Sequence, residues 1–244
     1  MTTTLPDAFV QLPTLLHEWQ QSVKLPGRVI FAKVWGSHSH DTALPTSDVD
    51  YLAVYVATAR EMLSLHPPAE TTDGKGPDFQ AHEARKFAHL LLKGNPGVVE
   101  CLFTEVGVNW GPEWARLLER RKMFLNTQTL KQYLGYCRGQ LQRMDAGTRL
   151  HTKGGEFNTK WAYHMIRLAH DAERISKGQA PLVFKTGDEK ALLMDVRAGK
   201  WGPDQLASMY REIEERIDAG KPWPIPDSAD ENVLNEWLWS LYFT

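Results

Sequence analysis

The sequence predicts a mixed α/β N-terminal half, a small mixed sheet flanked by helices, followed by an all-helical C-terminal half. Two observations carry this reading. Runs rich in β-branched and aromatic residues, RVIFAKVWG at 28–36 and DVDYLAVYV at 48–56, are confined to the first half. Past Phe124 strand patterns stop, and every periodic segment repeats its apolar residues at helical spacing between Gly and Pro punctuation. The length of 244 residues fits two small domains, here expected at 1–125 and 126–244.

In chain order, LLHEWQQSVKL forms an amphipathic helix with Leu15, Leu16, Trp19 and Val23 on its apolar side, ended by Pro26-Gly27. The strand at 28–35 ends at a Gly36-Ser37 corner. SHSHDTALPTS reads as a helical turn and a loop, and DVDYLAVYV as a second strand. In that strand Asp48 and Asp50 alternate with Val49, which places both carboxylates on one face. HPPAETTDGKGP is expected to be a loop, and a long loop beside an active site is often functional. PDFQAHE is a short third strand, EARKFAHLLLKG a helix, VVECLFTE a short apolar stretch, and GPEWARLLERRKMF the start of another helix. The second half holds helices at 129–144, 156–178, 188–199, 203–220 and 231–243. Trp223, Trp237 and Trp239 are expected to pack in the core, since the segment around them is acidic.

The formal net charge of −2 hides a strong asymmetry. Residues 36–83 hold eight acids and two bases, whereas 116–178 hold thirteen bases and five acids. An acidic block followed by a basic one suits metal ions beside a polyanion; scattered solvated faces would give the same totals. Cys101 and Cys137 lie in apolar surroundings without a C-x-x-C pair and are expected to be buried free thiols. The N-terminus has no signal-peptide pattern, and no run of about 18 apolar residues could span a membrane. A cytoplasmic protein is expected.

The stretch that carries chemistry is Gly36-Ser37, ten residues, then Asp48-Val49-Asp50. Glycine lets backbone approach a phosphate closely, serine offers a hydroxyl and an N–H, and a following helical turn presents further N–H groups to an anion. Paired carboxylates suit hard divalent ions, which take oxygen ligands. Two such ions about 4 Å apart clamp the attacking and leaving oxygens of a phosphoryl displacement. An Asp-x-Asp alone could equally mark a solvent-facing strand edge; the Gly-Ser corner beside it favours chemistry.

This pattern resembles the DNA polymerase β-like nucleotidyltransferase superfamily, whose hallmark is hG[GS], about a dozen residues, then [DE]h[DE]h. WGSHSHDTALPTSDVDY at 35–51, HEARKF and LKGNPGVVECL within 82–102, and KWAYHMIRL at 160–168 are similar to its RNA-ligase-associated group. The resemblance spans residues 28–180. It implies that Gly36 and Ser37 contact phosphate and that Asp48 and Asp50 bind metal. It also implies a third catalytic carboxylate from a later strand. Asp78 is the choice, Glu83 the alternative, and Asp73 a weaker candidate. The corner departs from the group where a Tyr-Gly pair commonly follows the serine: here it reads Ser37-His38-Ser39-His40. His38 and His40 are either phosphate or base contacts or solvated loop residues.

Lys86 sits in a helix first turn, where the dipole disfavours cations, and is a candidate phosphate contact. Lys153, Lys160, Arg167 and Arg174 recur every seven residues, with His164 between Lys160 and Arg167. This stripe either binds phosphates or is a solvated face paired with Glu156, Asp171 and Glu173. The expected activity is Mg²⁺- or Mn²⁺-dependent transfer of a nucleoside monophosphate from an NTP such as ATP to a hydroxyl, with an RNA end favoured. A protein or small-molecule acceptor, or a non-catalytic binding module of the same fold, are the alternatives.

Overall fold

The computed structural model describes residues 12–75, 78–105, 107–109, 111–149 and 158–243. Five strands form one sheet: β1 (Arg28–Trp35), β2 (Asp50–Val56), β3 (Thr71–Gly74), β4 (Phe79–Glu83) and β5 (Gly107–Asn109). Helices α1 (Leu12–Ser22), α2 (Gly36–Ser39), α3 (Ala59–Met62), α4 (Ala84–Leu92), α5 (Pro96–Val99) and α6 (Pro112–Glu119) intersperse with them. Then follow α7 (Thr127–Arg149), α8 (Thr159–Ser176), α9 (Gly187–Arg197), α10 (Pro203–Ala219) and α11 (Glu231–Tyr242). No helix among the described residues is long and apolar enough to cross a membrane.

The sheet runs β3-β4-β2-β1-β5. β2 and β4 are parallel and every other pair is antiparallel, so the sheet is mixed as expected. β1 and β2 are central and buried on both faces, which is why they read as continuous apolar runs rather than alternating ones. One face packs Val29, Ala32, Val34, Tyr51 and Ala53 against Leu16 and Trp19 of α1. There Trp19 stacks on Tyr51 with ring centroids 5.4 Å apart. Past the register shift between Val29 and Phe31, Phe31 stacks instead on Trp114 of α6 at 3.9 Å.

Four local readings change. β2 begins at Asp50, so Asp48 precedes the strand. Its last ladder partner is Trp35, after which β1 turns into α2 and offers residues 48–49 nothing to pair with. HPPAETTDGKGP contains β3, a half-buried edge strand whose low hydrophobicity matches its place at the sheet's edge. VVECLFTE, read only as a short apolar stretch, starts helical because Asn95 caps α5, its side chain accepting from Val98 N with Pro96 in the first turn, and a 3-10 turn continues over Glu100–Leu102. The three-residue β5 was not anticipated.

The chain forms two compact units. Met1–Leu91, Thr104–Arg121 and Asp230–Thr244 make the sheet-bearing one, and Leu92–Phe103 with Lys122–Ala229 the helical one. The helical unit thus includes Leu92–Phe103 from the first half, and the sheet-bearing unit includes α11 from the second. Trp237 donates its indole N–H to the Glu113 carbonyl (2.9 Å), and the Tyr242 hydroxyl donates to the Glu83 carboxylate, so tertiary bonds hold α11 against the sheet unit. Trp237 is buried as expected, Trp223 packs partly buried against the helical core, and Trp239 is exposed.

The helical unit buries Leu130, Tyr133, Met165, Ala169, Ile213 and Ile217 among α7, α8 and α10. Cys101 and Cys137 are free and buried. Burial pushes the Cys137 thiol far up, so it stays protonated. A charge network crosses this unit: Arg167 pairs with Glu100 and Asp171, and Lys185 and Arg174 both pair with Asp171 and Glu189. Three cations face three anions, which is how so many charges are tolerated inside.

Candidate active site

The site begins where β1 stops. Gly36 takes φ +65°, a left-handed conformation that suits glycine, and the chain enters the α2 turn. Hydrogen bonds tie the turn together, Thr42 N donating to Ser37 O at 3.0 Å and the Ser39 hydroxyl to Gly36 O at 2.8 Å. His38 Nε2 donates to the Ser47 carbonyl at 3.1 Å, which fixes that tautomer and pins the loop to the approach of β2. His40 is buried. His38 is thus held within the loop, and His40 is packed inside it.

Register then assembles the acids. Trp35 pairs with Asp50, so Asp50 stands beside the Gly36 corner. A Cβ at Gly36 would lie 2.8 Å from Asp50 Oδ2; glycine leaves room for the carboxylate there. Tyr51 N donates to the Asp78 carbonyl at 3.0 Å, which starts the parallel ladder in which Tyr51 pairs with Phe79. Asp50 and Asp78 each precede that pair by one residue and open into one cleft of about 460 Å³ at this end of the sheet. Trp35, Asp73, Lys75 and Gln80 also line it. Asp73 arrives through the antiparallel β3–β4 pairing opposite Gln80, whose amide donates to Asp73 Oδ1 at 3.1 Å.

The other expected residues are placed differently. Asp48 is exposed and outside this lining. Glu83 ends β4, at the opposite end from Asp78; it is buried and accepts from Arg85 N at 2.8 Å, so it caps α4. Lys86 stands on the first turn of α4, also beyond that far end, and pairs with Glu70 at 3.4 Å. The structure thus does not bring Lys86 or Glu83 to Asp50. Lys160, His164 and Arg167 lie on α8 in the helical unit. Lys160 is exposed, but Arg167 is buried in the charge network, so the stripe is not one solvated face. Burial, helped by Arg167 and Lys160, depresses the His164 pKa to about 4, leaving a neutral imidazole near pH 7. Lys153 and Glu156 lie outside the described residues.

Sequence reasoning passed over Trp35, Lys75 and Gln80. Lys75 had left a signal: it is one of only two bases in the acidic stretch 36–83. Among the described residues no group of three or more His, Cys, Asp or Glu side chains is gathered to hold a metal. The donors that do share the cleft are oxygens alone. Mg²⁺ needs only one or two carboxylates, with water and substrate phosphates completing its shell. The Asp50 and Asp78 pair, with the space kept open at Gly36, fits that cation.

Comparisons with known proteins place the chain in a family. The chain is 27% identical over 138 residues to an uncharacterized 38.9 kDa protein from the nrdC-mobD intergenic region of Enterobacteria phage T4. That match covers 50% of this chain and 41% of the phage protein, so the chain spans well under half the length of that relative. A nucleotidyltransferase-like protein from Exiguobacterium sibiricum aligns over 96% of this chain and 75% of its own, at 15% identity and a TM-score of 0.31, too distant to carry an argument. The profile of RlaP, the RNA repair pathway DNA polymerase beta family, matches residues 13–200. With that profile covering most of the chain, and the Gly-Ser corner and Asp50 set side by side at the sheet's end, the chain belongs to the RNA repair pathway DNA polymerase beta family of nucleotidyltransferases.

Proposed function

We propose that this chain transfers a nucleoside monophosphate from an NTP to a hydroxyl acceptor, with an RNA end as the favoured acceptor. The acceptor oxygen forms a bond to the α-phosphorus, the α–β phosphoanhydride bond breaks, pyrophosphate leaves, and the hydroxyl proton passes to solvent or a carboxylate. The observation that carries the reading is the convergence of Asp50 and Asp78 on one cleft beside the Gly36-Ser37 corner. The family's description supports RNA as the acceptor.

Asp50 and Asp78 would hold a divalent cation, and the resemblance adds Asp48, which lies two residues from Asp50. When bound, Mg²⁺ or Mn²⁺ neutralises developing phosphate charge and acidifies an acceptor hydroxyl. Backbone N–H groups of the α2 turn and the Ser37 hydroxyl are suited to hold phosphate oxygens. Asp73, held by Gln80, adds negative charge to the same cleft and competes with Asp78 for the third carboxylate role.

Labelled NTPs incubated with Mg²⁺, total RNA and the protein test this reading. Metal-dependent label on RNA that disappears in Asp50→Asn supports it. Label that is equal in wild type and Asp50→Asn, or absent from RNA and present on protein, removes it or redirects the acceptor.

A further inference from the structure

Among the described residues, Lys75 is the one cation lining a cleft that holds Asp50, Asp73 and Asp78. It is exposed at the turn that follows β3, and among the described residues it forms no hydrogen bond or ion pair with any of these acids. An exposed ammonium that no acid of the cleft holds is available to a ligand that enters it, and a bound anion is one use. The strand order supplies that use. Along this end of the sheet come Lys75 after β3, Asp78 before β4, Asp50 on β2, and the Gly36-Ser37 corner after β1. With strands about 4.8 Å apart, Lys75 and the corner bracket the two acids at a separation of roughly 14 Å. A lysine side chain and a triphosphate together span that gap.

We propose that Lys75 is a substrate-binding residue that holds the triphosphate of the NTP from the β3–β4 side, opposite the Gly36-Ser37 corner. The proposal rests on the nucleotidyltransferase reading above. Lys75 carries a point charge on a flexible stem, suited to phosphate oxygens without demanding a fixed geometry. It also repels the cation that the neighbouring carboxylates attract, so it opposes one ligand and favours the other.

That opposition gives the test two readouts of opposite sign. Titrating wild type, Lys75→Gln and Lys75→Arg with Mn²⁺ alone, then with Mg²⁺ and ATP, and with adenosine, separates the roles. Lys75→Gln should weaken triphosphate binding about tenfold, leave adenosine binding unchanged, and strengthen Mn²⁺ binding about twofold to fivefold. Lys75→Arg should stay near wild type. A merely structural role would weaken all three ligands together, and that result, or an unchanged triphosphate affinity, overturns the proposal. Failure of the wild type itself to bind ATP with Mg²⁺ would instead remove the nucleotidyltransferase reading, and Lys75 with it. A thermal melt of each variant confirms that the exposed turn tolerates the change.

Discussion

The Asp50 carboxylate stands against the Cα of Gly36, 2.8 Å from where a methyl group at that position would sit. Gly36 also holds φ +65°, so two demands meet on one residue: a left-handed turn that ends β1, and space for the acid delivered by the neighbouring strand. Gly36→Ala should cost about 1–2 kcal/mol of stability from the backbone alone. It should also displace Asp50. A shift of about 1 Å in a reacting group lowers turnover on the order of 100-fold, so nucleotidyl transfer should fall far more than the melting temperature implies. A variant that melts lower yet keeps full turnover would break the link between corner and carboxylate.

Lys33 lies at the centre of β1, fully buried, and its Nζ has no hydrogen-bond partner among the described residues. It pairs with Leu52 and Gly107, one step along the face that carries Asp50. A buried polar group without a partner costs about 1–3 kcal/mol. Lys33→Met keeps the volume and removes that cost, so its urea midpoint should rise by an equivalent amount. A lower midpoint would show that the ammonium is compensated.

Arg167 and Glu100 meet across 67 positions of sequence in the helical unit, both buried. Removing Arg167 takes from the buried Glu100 carboxylate the guanidinium it is bonded to. Arg167→Met should therefore destabilise the protein by about 3–5 kcal/mol. Arg167→Met with Glu100→Leu should cost much less than the sum of the single changes. Urea titrations of the four proteins form the cycle that reads the coupling; additive losses would mean that the two side chains do not depend on each other.

His82 and His164 both have pKa values depressed to about 4, chiefly by burial. Lys86 pushes His82 further down while Asp73 works the other way. The unfolded chain takes up these protons near pH 6.5 and the native state only near 4. Stability is thus complete above pH 6.5 and declines as pH falls from 6.5 towards 4, by an amount of order 2 kcal/mol per histidine. His82→Asn, which can keep a bond to Thr71, should flatten that acid slope. An unchanged slope between pH 6.5 and 4 would contradict the buried neutral imidazole.

Short-range chemistry was legible from residues alone. The apolar runs at 28–35 and 50–56 became the two central strands because continuous hydrophobicity has only a doubly covered sheet to occupy. The Gly36-Ser37 corner, the helical second half and the candidacy of Asp50 needed nothing beyond local pattern and spacing, whereas Asp78 became a candidate only through the family resemblance. What alternation along one strand could not reveal is where the strand begins. Asp48 falls outside β2 because β1 has already turned away, a fact set by the Trp35–Asp50 pairing and not by the Asp-x-Asp spacing. Register likewise put Asp73 and Lys75 at the cleft and carried Glu83 and Lys86 to the other end of β4. The heptad spacing on α8 made one basic stripe on paper, yet Glu100 and Asp171 draw Arg167 into the interior. The division has one physical reason. Periodicity and turn chemistry act between residues close in the chain, whereas the partner of a strand or a buried charge is set by residues tens of positions away, and only folding brings them together.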